Sequence, residues 1–248
     1  MPEYSKENTV LGYSKESFLH LPTPVEYLPT LSAELGVEFY IKRDDLTNLG
    51  AGGNKLRKLE YFLRDAKVKG ATALVTVGGA QTNHGRLTAA VAAKYGMKCT
   101  IVAIDNYPGE ISANILLDRI MGADVLLHED DGTPIMDVVA RVVAQYKASG
   151  ENVYFIPMGG SNELGALGYY ECAQELIEQV ASGHVIAAVG SMGTYMGLFC
   201  GLYGSPIKLT GVLIGPFYAD AKAYALDYFN RCKAAWDLDF STEEEDFH

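Results

Sequence analysis

Lys55 follows two glycines and an asparagine in Gly52-Gly53-Asn54-Lys55-Leu56-Arg57-Lys58, directly before a stretch with helical apolar spacing. Glycines let the backbone take dihedrals closed to other residues and let a ligand approach closely. A lysine set in a pocket behind such a turn loses proton affinity by desolvation. It then becomes an amine nucleophile able to hold a carbonyl compound as a Schiff base. The same residues also fit a plain tight turn leading into a solvated, lysine-rich first helical turn.

Further glycine clusters favour the chemical reading, because each falls at an expected strand end. Gly78-Gly79-Ala80-Gln81-Thr82-Asn83-His84 offers a hydroxyl, an amide and an imidazole. Thr82 or Asn83 also suits a helix N-cap, and His84 suits either proton transfer or a structural hydrogen bond. Pro157-Met158-Gly159-Gly160-Ser161-Asn162 fits a loop facing the same crevice or an ordinary cap. Gly190-Ser191-Met192-Gly193-Thr194 precedes a helix whose first N–H groups, with two hydroxyls beside them, can cradle a phosphate. It is neither Gly-x-Gly-x-x-Gly nor a P-loop. An aldehyde held by a lysine and a phosphate held by a helix start are the two attachments of pyridoxal phosphate.

The elements that must position these loops alternate along the chain. Strands are expected at Val37 to Arg43, Ala73 to Val77, Cys99 to Ala103, Asp124 to Leu127, Val153 to Ile156, Val185 to Val189 and Leu209 to Ile214. Helices are expected at Leu28 to Leu35, Lys55 to Lys69, Asn83 to Gly96, Glu110 to Met121 and Thr133 to Ser149. Three more follow at Leu167 to Ala181, Ser191 to Tyr203 and Ala219 to Trp236. Leu56, Leu59, Phe62 and Leu63 form the apolar stripe of the second helix. This order implies an α/β fold with crossover helices covering parallel strands, and ligands in such sheets collect at the carboxyl ends of the strands.

Composition excludes several function classes. The 248 residues carry a net charge of -11, which argues against a nucleic-acid partner. No stretch has the length and apolar character of a membrane span, and the N-terminus has no signal-peptide run, so a cytoplasmic protein is expected. Cys99, Cys172, Cys200 and Cys232 are widely dispersed and fit a reducing compartment. Neither they nor the five histidines have metal-site spacing, so no metal is expected.

Taken in order, Ile41-Lys42-Arg43-Asp44-Asp45-Leu46, Gly52 to Glu60, Gly78 to His84, Gly159 to Asn162 and Gly190 to Thr194 resemble the fold-type II pyridoxal-phosphate enzymes of the D-cysteine desulfhydrase and 1-aminocyclopropane-1-carboxylate deaminase family. The likeness runs from about Leu21 to Gly215. It implies a two-lobed, three-layer α/β fold. The smaller lobe would span residues 55–160, and the larger would combine residues 1–54 with residues 161–248. It also implies a homodimer and pyridoxal 5'-phosphate as cofactor. By position, Lys55 matches the lysine holding the cofactor aldehyde, and Asn83 the residue whose amide meets the ring oxygen. Thr82 stands where relatives have a serine near the substrate carboxylate, which makes it, with Lys55, a candidate catalytic residue for proton transfer. Gly190, Ser191, Met192, Gly193 and Thr194 match the phosphate cup, and Asn54 and His84 are candidate substrate contacts. The resemblance further implies strands and helices beyond His248, bearing a substrate-facing tyrosine and a partner for the pyridine nitrogen, so a longer protein is expected. The activity implied is elimination and deamination of a small amino acid, with D-cysteine as the first substrate. A cyclopropane amino acid, L-cysteate, or a non-catalytic cofactor-binding role are the alternatives.

Overall fold

A computed structural model of the chain describes residues 9–104, 111–129 and 131–248. The chain opens with β1 (Thr9–Val10) and β2 (Tyr13–Ser14), then β3 (Val25–Tyr27), α1 (Pro29–Leu35) and β4 (Tyr40–Lys42). Next come α2 (Lys55–Val68), β5 (Ala73–Gly78), α3 (Asn83–Tyr95), β6 (Lys98–Ile104), α4 (Ala113–Ile120), β7 (Asp124–His128), α5 (Ile135–Ala148) and β8 (Val153–Ile156). The last part holds α6 (Glu163–Gln179), β9 (Gly183–Val189), α7 (Gly193–Leu202), β10 (Ile207–Leu213) and α8 (Ala221–Trp236).

Four parallel strands pair in the order β7-β6-β5-β8, with Val75 opposite Thr100 on one side and Phe155 on the other. Every residue of β5 is buried, because the strand has neighbours at both edges and helices on both faces. Its period of two divides the core. Leu74 packs with Leu56, Leu59, Phe62 and Leu63 of α2 and Leu87 of α3. Val75 and Val77 face Val138, Val139 and Val142 of α5. These are three layers, helix on sheet on helix.

A second sheet contains β9 and β10, also parallel, in register from Ile207 opposite Gly183 to Leu213 opposite Val189. The crossover α7 lies unusually close to α6. A Cβ on Gly197 would stand 2.2 Å from the Ala166 carbonyl oxygen, and one on Gly201 2.6 Å from Ala173 Cβ. Trp236 of α8 meets Tyr170 of α6 edge-on.

Some boundaries depart from expectation for physical reasons. The strand expected over Val37 to Arg43 shrinks to Tyr40–Lys42, because only these residues find an antiparallel partner, in Val25–Tyr27. The helix expected from Leu167 begins at Glu163, where the Asn162 side chain accepts from Gly165 N at 2.9 Å. Gly165 and Gly168 inside it cost helix propensity but permit contact. A Cβ on Gly168 would sit 2.5 Å from the Arg57 backbone. The helix expected from Glu110 is seen from Ala113, and Glu110 lies outside the described residues. Among the described residues no helix is long and apolar enough to cross a membrane, and no group of His, Cys, Asp or Glu is placed to hold a metal ion.

Candidate active site

Four consecutive residues with positive φ precede α2: Gly50, Ala51, Gly52 and Gly53. Only glycine fits at position 52, where a Cβ would lie 1.9 Å from the Asp45 carbonyl oxygen. The turn is pinned from both sides. Gly53 N donates to Asp44 O at 3.1 Å and to Thr47 Oγ1 at 2.8 Å. Arg86 of α3 donates to the carbonyls of Gly50 and Gly52, the latter at 3.1 Å.

Lys55 is the first residue of α2, and its Nζ donates to Asn54 Oδ1 at 3.1 Å. The other end of that amide, Asn54 Nδ2, donates to Thr194 Oγ1 at 3.1 Å. One asparagine therefore joins the lysine to the glycine loop before α7. Burial lowers the Lys55 pKa to about 8, so about a tenth is free amine at pH 7 and about half at pH 8.

Lys58, one helical turn on, is buried as well. Its Nζ donates to Gly159 O at 3.2 Å and Ser161 Oγ at 3.3 Å. Burial, and secondarily the charge of Lys55, pushes its pKa well below the ordinary lysine value. This overturns the solvated first turn that the residue types also allowed. The i, i+3 spacing from Lys55 was the available signal, since it places both amines on one helix face.

The loop at Gly190 to Thr194 is shaped by a non-glycine residue in the left-handed region, Met192 at φ 63°. Ser191 Oγ and Ser161 Oγ share a 2.7 Å hydrogen bond, and Gly193 N donates to Ser161 Oγ at 3.3 Å. A Cβ on Gly193 would reach within 2.6 Å of Ser161 Oγ and 2.9 Å of Lys58 Nζ. Met192 at the N-cap makes no side-chain cap. Gly193 N is spent on Ser191 O and Ser161 Oγ, so the N–H groups that follow it in the first turn are the ones open to an anion. The cup thus offers open N–H groups, hydroxyls and an amine at one point. Tyr218 OH donates to Gly190 O at 2.6 Å and steadies the loop from behind.

Thr82 caps α3, its Oγ1 accepting from Gly85 N at 3.4 Å. Its methyl lies against glycines: a Cβ on Gly85 would come within 2.6 Å of Thr82 Cγ2. Asn83 is exposed and accepts at Oδ1 from Asn114 Nδ2 at 3.0 Å and Arg86 Nη2 at 3.5 Å. His84 is buried, with Nε2 2.9 Å from Thr76 Oγ1. Thr76 already spends its hydrogen on Ile156 O at 2.9 Å, so His84 Nε2 is the donor and Nδ1 is left a buried acceptor without a partner. Burial first, then Lys55 and Lys58, push the His84 pKa down to about 3, which keeps the ring neutral. It is a fixed dipole beneath the loop and no proton carrier near neutral pH.

A buried ion network underlies the lysine turn. Arg57 is fully enclosed and grips Asp44 with two bonds of 2.9 Å and Glu175 with bonds of 2.8 and 2.9 Å. Tyr169 OH adds a 2.5 Å bond to Asp44, and Lys42 Nζ a 2.6 Å bond to Glu175. Burial alone would raise both carboxyl pKa values, but the Arg57 bonds and charge hold each below the usual carboxylate range. Motif reading missed this network because its members are scattered along the chain.

The family model described as "Pyridoxal-phosphate dependent enzyme" matches residues 17–224. A Pyrococcus horikoshii protein named "Putative 1-aminocyclopropane-1-carboxylate deaminase" is 40% identical over 79% of this chain and 61% of its own length. D-cysteine desulfhydrase of Salmonella typhimurium is 41% identical over 85% of this chain and 67% of its own length. The crystal structure of an ACC deaminase homologue superposes with a TM-score of 0.85 at 34% identity, over 93% of this chain and 72% of that one. The chain spans 56% to 67% of the length of these and similar curated relatives.

Proposed function

Because the chain belongs to the pyridoxal-phosphate-dependent enzymes of the 1-aminocyclopropane-1-carboxylate deaminase and D-cysteine desulfhydrase family, with their fold-type II architecture and cofactor, we propose that it is a lyase or deaminase releasing ammonia from a small amino acid. The observation that carries this is the Asn54 bridge, 3.1 Å to Lys55 and 3.1 Å to Thr194, which sets an amine nucleophile beside an anion cup.

Bound pyridoxal phosphate supplies an electron sink for the bond pair released at the substrate carbon. Lys55 would hold the cofactor aldehyde, and its buried Nζ would move a proton at the substrate. The first-turn N–H groups of α7, with Ser191 and Thr194, would receive the phosphate. Lys58, whose Nζ lies beside the cup at Ser161, would balance the charge of that anion. Asn83 would meet the ring oxygen, and the Thr82 hydroxyl would stand near the substrate carboxylate. Two lobes, residues 55–160 and residues 1–54 with 161–248, flank the crevice in this reading. The confinement of the four-stranded sheet to residues 73–156 supports that division.

The residue pattern put D-cysteine first, yet relatives of both names stand at 40% and 41% identity, so sequence gives neither precedence. The solved homologue that covers 93% of the chain favours opening of the cyclopropane ring. The protein should form a visible lysine-linked band with pyridoxal phosphate. It should release 2-oxobutanoate from 1-aminocyclopropane-1-carboxylate with higher kcat/KM than it releases pyruvate and sulfide from D-cysteine. The opposite order would assign it to the desulfhydrases, and no band would sink both readings.

A further inference from the structure

The 81–83 loop is held by a residue with no assigned role. Asn114, near the start of α4, makes three hydrogen bonds to it. Its backbone N donates to Gln81 Oε1 at 2.8 Å, and its Nδ2 donates to Gln81 O at 2.8 Å and to Asn83 Oδ1 at 3.0 Å. The preceding Ala113 has φ 46°, a left-handed conformation unusual outside glycine.

These bonds have a fixed polarity. The Gln81 main-chain carbonyl can only accept, so the Asn114 atom against it must be the amide nitrogen. That nitrogen also meets Asn83, so the Asn83 atom facing α4 must be the oxygen. Arg86, which can only donate, points at the same oxygen at 3.5 Å. The Asn83 NH2 is thereby turned away from α4, with no protein partner among the described residues.

We propose that Asn114 is a positioning residue that fixes the Asn83 amide with its NH2 end toward the crevice, poised to donate to an anionic oxygen. The assignment of that oxygen to the cofactor ring rests on the functional reading above; the orientation of the amide does not. An aspartate at position 114 accepts where asparagine donates. It would draw the Asn83 NH2 to itself and present Oδ1 to the crevice.

Side-chain amide NMR of the cofactor-free protein tests the orientation directly. Asn114→Asp should move the Asn83 NH2 resonances, identified by their loss in Asn83→Ala, toward the positions of carboxylate-bonded protons. Unmoved resonances overturn the proposal. Titration with pyridoxal phosphate supplies the second readout. In the Asn83 background, Asn114→Asp should weaken binding about tenfold, the loss of a charge-assisted bond, and shift the visible band. In the Asn83→Ala background the same change should alter affinity less than about twofold. Equal losses in both backgrounds would mean that Asn114 acts on the fold alone, which overturns the proposal. Should Asn114→Asp not fold, Asn114→Ala must show a smaller loss that also disappears with Asn83→Ala; persistence there overturns it equally. A wild-type protein without the visible band would refute the functional reading and leave the NMR result to judge Asn114.

Discussion

At the Lys55 end of the candidate site the backbone is held by charges. At the Gly193 end it is held by neutral hydrogen bonds and by the lack of a side chain. Arg57, Asp44 and Glu175 form a buried network beneath the first, and Arg86 clamps the carbonyls of Gly50 and Gly52. The second rests on the Ser161–Ser191 pair and Tyr218. The difference matches what each end must do in the proposed function. A nucleophile has to be placed against a single atom, and four successive residues at positive φ must be kept from relaxing. An anion cup must leave its N–H groups unspent, and strong local partners would fill it.

The largest effect should come from Lys55→Ala, which removes the amine proposed to hold the cofactor aldehyde. Turnover should fall by roughly a thousandfold or more, with loss of the lysine-linked band. Retained activity and absorbance in a folded variant would place the nucleophile elsewhere.

Arg57→Met tests the charged end by stability. It would leave the largely buried Asp44 carboxylate without a cation and Glu175 with Lys42 alone, and cost about 3–5 kcal/mol. The sign with pH follows from the lowered carboxyl pKa values of Asp44 and Glu175. The wild-type network contributes fully above the ordinary carboxylate value near about 4 and is lost as pH falls through the lower folded values. Protonation relieves the stranded carboxylates of the variant first, so the two melting curves should converge below about pH 4. A constant difference in Tm across that range would show that Arg57 acts through packing.

The glycines provide the direct contrast. Gly52→Ala puts a Cβ 1.9 Å from a main-chain oxygen at φ 71°, so backbone must move, at a cost of about 2–3 kcal/mol in Tm measurements. Gly193→Ala meets side-chain atoms and no backbone, Ser161 Oγ at 2.6 Å and Cβ at 3.0 Å and Lys58 Nζ at 2.9 Å, and the two polar tips can shift. It should cost about 1 kcal/mol or less in stability yet weaken pyridoxal phosphate about tenfold. Equal destabilisation by both would end the distinction between the two ends.

Much of this architecture was legible because it is local. The continuous apolar run of β5 and the stripe of Leu56, Leu59, Phe62 and Leu63 follow directly from periodicity, and the glycine segments mark the strand ends that meet at the crevice. What escaped depends on partners far along the chain. Arg57 and Lys58 read as solvated charges, since nothing nearby announces that Glu175, 118 residues on from Arg57, and the Gly159 carbonyl will cover them. Val25–Tyr27 is too short to read as a strand until Tyr40–Lys42 pairs with it. Asn114 carries no motif at all; its importance lies in the polarity of one amide bonded to another.

The smallest effect should come from Tyr218→Phe, and its response to pH separates the two ends most finely. The change deletes the 2.6 Å bond to Gly190 O and should weaken cofactor binding by about 1 kcal/mol, roughly fivefold. Burial, aided by Tyr224, pushes the Tyr218 pKa up to about 12, so its hydroxyl remains a donor throughout the working range. The loss should therefore be the same at every pH between about 6 and 10. Lys55 behaves otherwise, since burial has lowered its pKa to about 8. Cofactor capture should accelerate as pH rises through that value and then level off, in wild type and Tyr218→Phe alike. Stopped-flow capture rates across the range, paired with equilibrium affinities, read both at once. A Tyr218→Phe penalty that grows or vanishes near pH 8 would tie the tyrosine to the lysine and join the two ends into one electrostatic unit.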